Sequence, residues 1–421
     1  MIWEESMNKV KSYDISKQIV VQAYKSIKAN AGGAGVDEQT ILDFEKDLKG
    51  NLYKIWNRMS SGSYIPSPVK GVPIPKKQGG ERLLGIPTVA DRIAQAVVKI
   101  YLEPALEAIF YKDSYGYRPN RSAHQALERV RQRCWKYDWV LEFDIKGLFD
   151  NIDHALLMKA LRKHTDKNWI VLYIARWLKA PMVKDGEILE RCQGTPQGGV
   201  IGPLLANLFL HYAFDIWMKR TFLGMEFCRY ADDGLIHCKT KEQAEFVKQK
   251  LIQRFKMCKL ELNENKTKIV YCQDKLRSQN YSNISFDFLG FTFRPRLSHS
   301  LSTGEFFVGF SPAVSRKSIK SMSQEMKRWK LNLRGSQTLE DFSRMYNPVL
   351  RGWWQYYGFF YKSAMGVVFN QLNRMLVKWA KKKYKRFHRS KTQASKWLTK
   401  TARQKRKLFI HWQLGIFPAA E

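Results

Sequence analysis

Phe227-Cys228-Arg229-Tyr230-Ala231-Asp232-Asp233-Gly234-Leu235-Ile236-His237 places two adjacent carboxylates at a turn between two apolar runs. An Asp-Gly step between alternating hydrophobics is also the strongest short signal for an ordinary hairpin, and taken alone the stretch favours that plainer reading. A second acidic strand upstream shifts the balance. In Trp139-Val140-Leu141-Glu142-Phe143-Asp144-Ile145 every odd position is apolar, so a strand buries Trp139, Leu141, Phe143 and Ile145 and turns Glu142 and Asp144 to the other face. A solvated edge strand would alternate in the same way, but it would account neither for the second acidic turn nor for the basic chain around it. Together the carboxylates read as a cage for divalent cations. Mg²⁺ takes a few carboxylates and completes its shell with water and phosphate oxygens, and paired ions can clamp the attacking and leaving oxygens of a phosphoryl transfer.

The partner expected of such a cage is a polyanion. The 421-residue chain carries a formal net charge of +34, an excess of Lys and Arg that suits a ligand whose phosphates release counterions on binding. Nucleic acid is the first candidate. From Ser311 onward 25 Lys and Arg stand against 4 acidic residues, so the C-terminal quarter is expected to touch it. Trp353, Trp354, Tyr356, Tyr357, Trp379 and Trp397 make that quarter too aromatic for a disordered basic tail.

With 44% hydrophobic residues the chain can bury a large core, and its length suggests two or three domains. Its cysteines show no Cys-x-x-Cys pair and no His at zinc-like spacing, and read as reduced thiols. The start, Met1-Ile2-Trp3-Glu4-Glu5-Ser6, lacks a basic region ahead of an apolar one, so no secretory signal is visible. The most apolar window, residues 200–217, contains Pro203, Asn207, His211 and Asp215, which suits a buried helix better than a membrane span.

Helical spacing over residues 16–30 ends at the turn Gly32-Gly33-Ala34-Gly35-Val36-Asp37. Residues 72–87 form two extended arms about a Gly-Gly turn, with Lys76 and Arg82 on opposite arms; they could close over a triphosphate or simply solvate a charged hairpin. Helices are expected over residues 89–110, 204–217 and 241–259. Gln193-Gly194-Thr195-Pro196-Gln197-Gly198-Gly199 either lets backbone approach a base pair or is a plain loop into a core helix. Short strands at 260–263, 266–270 and 286–293 follow. The spacing of Ile319, Met322, Met326 and Trp329 predicts an amphipathic helix, and a second runs from Leu372 through Trp379 into Lys381-Lys382-Lys383-Tyr384-Lys385-Arg386.

The order of these motifs carries a resemblance. The proline-flanked basic hairpin, Gly85-Ile86-Pro87-Thr88, Ser114-Tyr115-Gly116-Tyr117-Arg118-Pro119, Asp144, Thr195-Pro196-Gln197-Gly198-Gly199, Tyr230-Ala231-Asp232-Asp233 and Phe288-Leu289-Gly290-Phe291 occur as they do in the reverse transcriptases encoded by mobile group II introns of bacteria. Asn347-Pro348-Val349-Leu350-Arg351-Gly352-Trp353-Trp354-Gln355-Tyr356-Tyr357 resembles the signature of that family's maturase-specific domain. The likeness covers nearly the whole chain.

The resemblance implies an α+β right-hand polymerase. Fingers and palm with antiparallel sheet, including an N-terminal extension, would occupy residues 1–305, an α-helical thumb or maturase domain X residues 306–386, and a short basic nucleic-acid-binding segment residues 387–421. By the same resemblance Asp144, Asp232 and Asp233 are catalytic, and with Ile145 they hold two Mg²⁺ ions. Lys76, Arg82, Phe149 and Gln197 would meet the incoming deoxynucleoside triphosphate, Phe149 lying where polymerases that make DNA set a ring that crowds a ribose 2′-hydroxyl. Gly35, Arg118, Arg351, Lys381, Lys382, Lys383 and Arg386 would touch template or intron RNA. Lys266 would either donate a proton to pyrophosphate or sit in a surface salt bridge.

The implied partners are group II intron RNA, an RNA template with a DNA or RNA primer, deoxynucleoside triphosphates and target DNA, without a membrane and in the bacterial cytoplasm. No Cys- and His-rich cluster follows Ile410, so no endonuclease activity is expected, and insertion would prime from an existing nick or a replication fork. Glu142, Leu148, Gly202 and Gly234 depart from the family's usual Asp, Phe, Ser and larger apolar residue; the two glycines are expected to loosen the base-pair loop and the acidic hairpin. Two other readings stay open: a splicing factor whose main act is non-catalytic RNA binding, and a domesticated reverse transcriptase in DNA repair or phage defence.

Overall fold

A computed structural model describes residues 13–75, 80–299 and 304–418, without the side chain of Arg82. The chain packs as two compact units. The first takes the described residues up to Ser122, then Leu141–Ile236 and Lys241–Thr267; the second takes Ala123–Val140, His237–Thr240 and the described residues from Lys268 onward.

In the first unit, helices start where side chains can take up the exposed N–H groups of the first turn. Ser16 accepts from Gln18 ahead of Lys17–Asn30, and Thr88 accepts from Asp91 ahead of Val89–Glu107. The two basic arms form an antiparallel hairpin, Val69–Pro75 with Glu81–Ile86, in which Gly71 faces Gly85 and Ile74 faces Arg82. Three neighbouring strands of a second sheet, Glu226–Tyr230, Asp233–Cys238 and Trp139–Asp144, carry the acidic residues, in that spatial order.

The strand Trp139–Asp144 is covered more fully than its alternation predicts. Val140 is wholly buried and Asp144 is only 8% exposed, because elements pack on both faces and period-2 patterning reports only one of them. The strand expected at 260–263 is reduced to a single bridge, Ile145 opposite Leu262. The apolar run expected as one helix is instead Gly202–Leu210, a π-helical turn at His211–Asp215, and Ile216–Thr221. Among the described residues no helix is long and apolar enough to cross a membrane.

The second unit holds a three-stranded antiparallel sheet, Phe306–Val314, Phe291–His299 and Phe286–Phe288, and a helical core. Ser315 caps Arg316–Arg328, and Thr338 with Asp341 forms a capping box on Leu339–Tyr357. Met326, Phe342, Leu350, Phe369, Leu376 and Trp379 pack together there. Trp329 stacks on Tyr346 with ring centroids 4.0 Å apart. The segment expected as a basic tail is part of this core: it forms the helix Lys391–Gln404 and buries Leu398 and Trp412 completely. Its charges lie on the outside of a packed element because its apolar residues recur at helical spacing.

Candidate active site

The acidic hairpin and the Asp144 strand bring their carboxylates together. The pKa of Asp233 is pushed up to about 7, by burial first and then by the charges of Asp232 and Asp144 beside it. A carboxyl pushed toward its neutral form by burial and by neighbouring carboxylates marks a place where a cation would be welcome. Asp144 is steadied from the other side: Lys266 Nζ donates to its Oδ2 at 3.0 Å, and its carbonyl accepts from Asn263 at 2.8 Å. Lys266 is thus ion-paired with Asp144 here, the arrangement named in the second of its two expected roles.

Among the described residues no three His, Cys, Asp or Glu side chains form a closed metal cluster as they stand. Asp144 is ion-paired with Lys266 and lies beside the Asp232–Asp233 turn, so the donor set has the right chemistry, three carboxylates that a divalent cation would draw together. Ile145 bridges Leu262 through its neighbours' groups, Asp144 O and Lys146 N. Its own carbonyl takes no part in that pairing.

The turn itself is tightly built. Ala231 has a left-handed φ of 56°, a conformation that costs a residue with a Cβ about 1–2 kcal/mol. Gly116, in the Ser114-Tyr115-Gly116-Tyr117 loop, packs so closely that a Cβ there would lie 2.5 Å from Ala231 N. Gly234 makes the matching approach on the next strand, where Phe143 fills the space that a side chain would need. Phe143 thus occupies the room that the family's larger apolar residue at Gly234 would need. At Gly202 a Cβ would meet Thr195 Oγ1 at an ordinary 3.4 Å, so a serine would fit there.

The two glycine-containing motifs interlock. Gly85 N donates to Gln197 O at 2.8 Å, and a Cβ on Gly198, whose φ is +131°, would lie 2.4 Å from Gly85 O. Gln197 Nε2 donates to both oxygens of Asp150, at 3.0 and 3.2 Å. Phe149 is buried, with its ring edge-on to Tyr117 at 6.3 Å, and its carbonyl accepts from Thr195 N. Phe149 and Gln197 are therefore joined through one loop. Lys76 lies outside the described residues, as does the side chain of Arg82, whose backbone sits on the second arm of the hairpin opposite Ile74.

Residues 74–293, just over half of the chain, match the family model described as reverse transcriptase (RNA-dependent DNA polymerase). The chain belongs to the reverse transcriptase family. Residues 319–397 match a second model, the group II intron maturase-specific domain. Among curated relatives, the group II intron-encoded protein LtrA of Lactococcus lactis subsp. cremoris is 28% identical over 363 residues, 71% of this chain and 58% of LtrA. Protein YkfC of Escherichia coli K12 is 32% identical over 278 residues, 57% of this chain and 73% of YkfC. The chain thus spans less than two thirds of the length of LtrA. A structure of telomerase from Candida albicans aligns with 90% of this chain and 68% of its own at 14% identity, with a TM-score of 0.47.

Among the residues expected at RNA, Gly35 and Arg118 are engaged by the chain's own architecture. Gly35 lies where a Cβ would stand 2.7 Å from Thr88 Cα, so glycine is required there by packing against the motif Gly85-Ile86-Pro87-Thr88. Arg118 is corrected from a template contact to an internal strut. Its side chain is 4% exposed, it forks onto Glu107, and it donates to the carbonyls of Tyr111 and Ser114 at 2.8 and 2.7 Å.

In the maturase-specific domain Lys383 is likewise engaged, bonded to the Gln337 carbonyl with its ammonium 5.2 Å from the Trp379 ring centroid. Lys382 and Arg386 are exposed, Lys381 is half-exposed, and Arg386 lies over the Phe387 ring at 4.7 Å. Arg351 is exposed and lines a cleft of about 440 Å³ with Arg344, Asn347 and Leu408.

Sequence reading missed Arg229, Asp215 and Asn207, which form a buried cluster beneath the acidic turn. The signal was present: an arginine inside an apolar strand cannot be buried without a partner, and Asn207 and Asp215 were the polar residues of the most apolar helix.

Proposed function

We propose that the chain is an RNA-directed DNA polymerase that copies intron RNA into DNA and also binds that RNA as a maturase, assisting splicing and retromobility. The observation that carries the reading is the clustering of Asp144 with the Asp232–Asp233 turn, close enough that the charges of Asp144 and Asp232 both raise the Asp233 pKa, in a chain of this family. Asp144, Asp232 and Asp233, with the Ile145 carbonyl, would hold two Mg²⁺ ions. Such ions, when bound, neutralise the charge moving between the attacking 3′-oxygen and the leaving pyrophosphate.

The chain's own residues supply the rest. Asp144, which Lys266 holds in place by an ion pair, would present its carboxylate beside the Asp232–Asp233 turn to those ions. Phe149 would close the space beneath the sugar, selecting deoxynucleotides, and Gln197 would leave Asp150 to meet the new base pair. Lys76 and Arg82 would face the triphosphate from the hairpin. In this reading residues 1–305 serve as fingers and palm, 306–386 as thumb, and 387–421 extend the RNA-binding surface with Arg351, Lys381, Lys382 and Arg386. The substrates are an RNA template, a DNA or RNA primer and deoxynucleoside triphosphates; intron RNA and target DNA are the wider partners.

Primer extension on an RNA template, with Mg²⁺ present and then chelated, tests this. Metal-dependent DNA synthesis is the expected result. A folded chain that binds RNA but extends no primer would leave the splicing-factor reading in its place.

A further inference from the structure

We propose that Arg229, Asp215 and Asn207 are positioning residues that hold the two-aspartate turn in the form that accepts divalent cations, an inference that rests on the polymerase reading above. Arg229 is 0% exposed and Asp215 1% exposed. Nε of Arg229 donates to Asp215 Oδ1 at 2.9 Å and Nη2 to Oδ2 at 2.8 Å, a bidentate fork that fixes the guanidinium plane. The remaining nitrogen, Nη1, donates to Asn207 Oδ1 at 2.9 Å and to the carbonyl of Ala231 at 3.1 Å. Ala231 is the left-handed residue directly before Asp232.

Asn207 completes the grip from the opposite side. Its Nδ2 donates to the carbonyl of Gly116 at 2.7 Å, and Gly116 is the residue packed against Ala231 N. One asparagine therefore ties together the loop that presses on the turn and the guanidinium that pulls on it. The strand is anchored as well: Arg229 N donates to Asp113 O at 3.0 Å, and Tyr115 N to Arg229 O at 2.9 Å.

The π-helical turn at His211–Asp215 has a use in this arrangement. At 3.6 residues per turn, positions eight apart on an unbroken α-helix are about 80° out of line. The wider π turn takes up that excess, so Asn207 and Asp215 present their side chains to the same guanidinium. A buried ion pair contributes little net stability compared with apolar residues of similar volume. What an apolar replacement could not supply is the bond to Ala231 O, which restrains the backbone that aims Asp232 and Asp233.

The full-length chain tests this with two variants. Arg229→Lys keeps the charge but cannot fork, and Arg229→Met combined with Asp215→Leu removes both charges without leaving one unpaired. Mn²⁺ binding read by electron paramagnetic resonance, kcat and KM for the nucleotide, and the thermal midpoint are measured for each; should the double variant not fold, Arg229→Lys decides. Mn²⁺ binding about 10–100-fold weaker in the folded variants, as for loss of an outer-shell partner, is expected. The rate should fall with it while nucleotide KM moves less than about threefold. Parent-like Mn²⁺ affinity in a folded variant overturns the proposal, as does a loss of rate that only follows the folded fraction. Because metal binding is read separately, a parent chain that extends no primer would sink the polymerase reading while the variants' Mn²⁺ affinities still decided this one.

Discussion

Phe143 and Gly234 occupy one space: a Cβ added to Gly234 would lie 2.1 Å from Phe143 Cζ. The ring also packs on Phe214 and Phe255, with centroids at 5.0 and 5.9 Å, so it cannot step aside freely. Phe143 precedes Asp144 and Gly234 follows Asp233, so the contact joins neighbouring strands one residue away from each carboxylate. Gly234→Val should destabilise the chain by about 1–3 kcal/mol through overpacking. Phe143→Leu should offset part of that loss, giving a non-additive double-mutant cycle. Urea unfolding checks both; additive effects would mean that the two positions do not share the space.

The acid turn and the RNA-binding surface separate by mutation. Asp232→Ala with Asp233→Ala should lower primer extension by more than the roughly 10–100-fold typical of an outer-shell loss, since it removes proposed ligands themselves. RNA binding by filter retention and assistance of intron splicing should remain near the parent level. If both fall together in a folded protein, polymerisation and splicing assistance share one surface.

Phe149 offers a test of sugar choice. Its ring is buried against the edge of Tyr117, so shortening it opens room without disturbing the carboxylates. Phe149→Val should raise incorporation of ribonucleotides relative to deoxynucleotides by about 10–200-fold, the range available from one pocket group. Competition between the two nucleotide types in single-nucleotide extension reads that ratio directly. An unchanged ratio would place the discriminating contact elsewhere.

What the sequence disclosed and what it hid follow from the reach of local patterning. Alternation located the strand Trp139–Asp144, and turn chemistry located the hairpin Val69–Pro75 with Glu81–Ile86, because both signals lie within a few residues. The spacing of Ile319, Met322, Met326 and Trp329 located the helix Arg316–Arg328 for the same reason. Patterning could not show that Asp144 would be nearly buried, that Arg118 would turn inward to Glu107, or that Lys383 would bond to Gln337. Each depends on a partner whose position is set by tertiary packing. The π turn was equally hidden, since an extra residue in a helical turn leaves the apolar character of its neighbours unchanged.

The inward turn of Arg118 divides the basic residues into two classes with opposite signatures. Arg118→Ala leaves Glu107 and two carbonyls without their donor, and should cost about 3 kcal/mol, the scale for breaking a largely buried pair. The salt dependence of RNA binding by the folded fraction should not move. Lys382→Ala and Arg386→Ala, at exposed positions, should do the reverse, each lowering the slope of log K against log salt by about 1 if it meets a phosphate. Stability should stay within about 0.5 kcal/mol. Denaturation and a salt series on the three variants resolve the classes; a reduced salt slope for Arg118→Ala would restore it to the RNA surface.

Two buried histidines give the second unit an acid sensitivity of its own. His411 stacks on Phe369 and pairs Nε2 with Asn373 Oδ1 at 2.8 Å, and burial pushes its pKa down to about 3. His237 is held to about 3 by burial first and then by the charge of Arg133. Above the ordinary value of 6.5 both are neutral whether the chain is folded or not, and they impose no pH dependence. As the pH falls below 6.5 the unfolded chain takes up these protons while the folded chain refuses them. Stability is therefore lost progressively until the folded groups protonate near pH 3. His411→Gln, whose amide can still donate to Asn373, removes one of these titrations. Its unfolding free energy should fall less steeply between about pH 6 and 4, by close to one proton or about 1.4 kcal/mol per pH unit. Urea titrations followed by tryptophan fluorescence across that range measure the slope; a slope equal to the parent's would mean that His411 accepts its proton without unfolding.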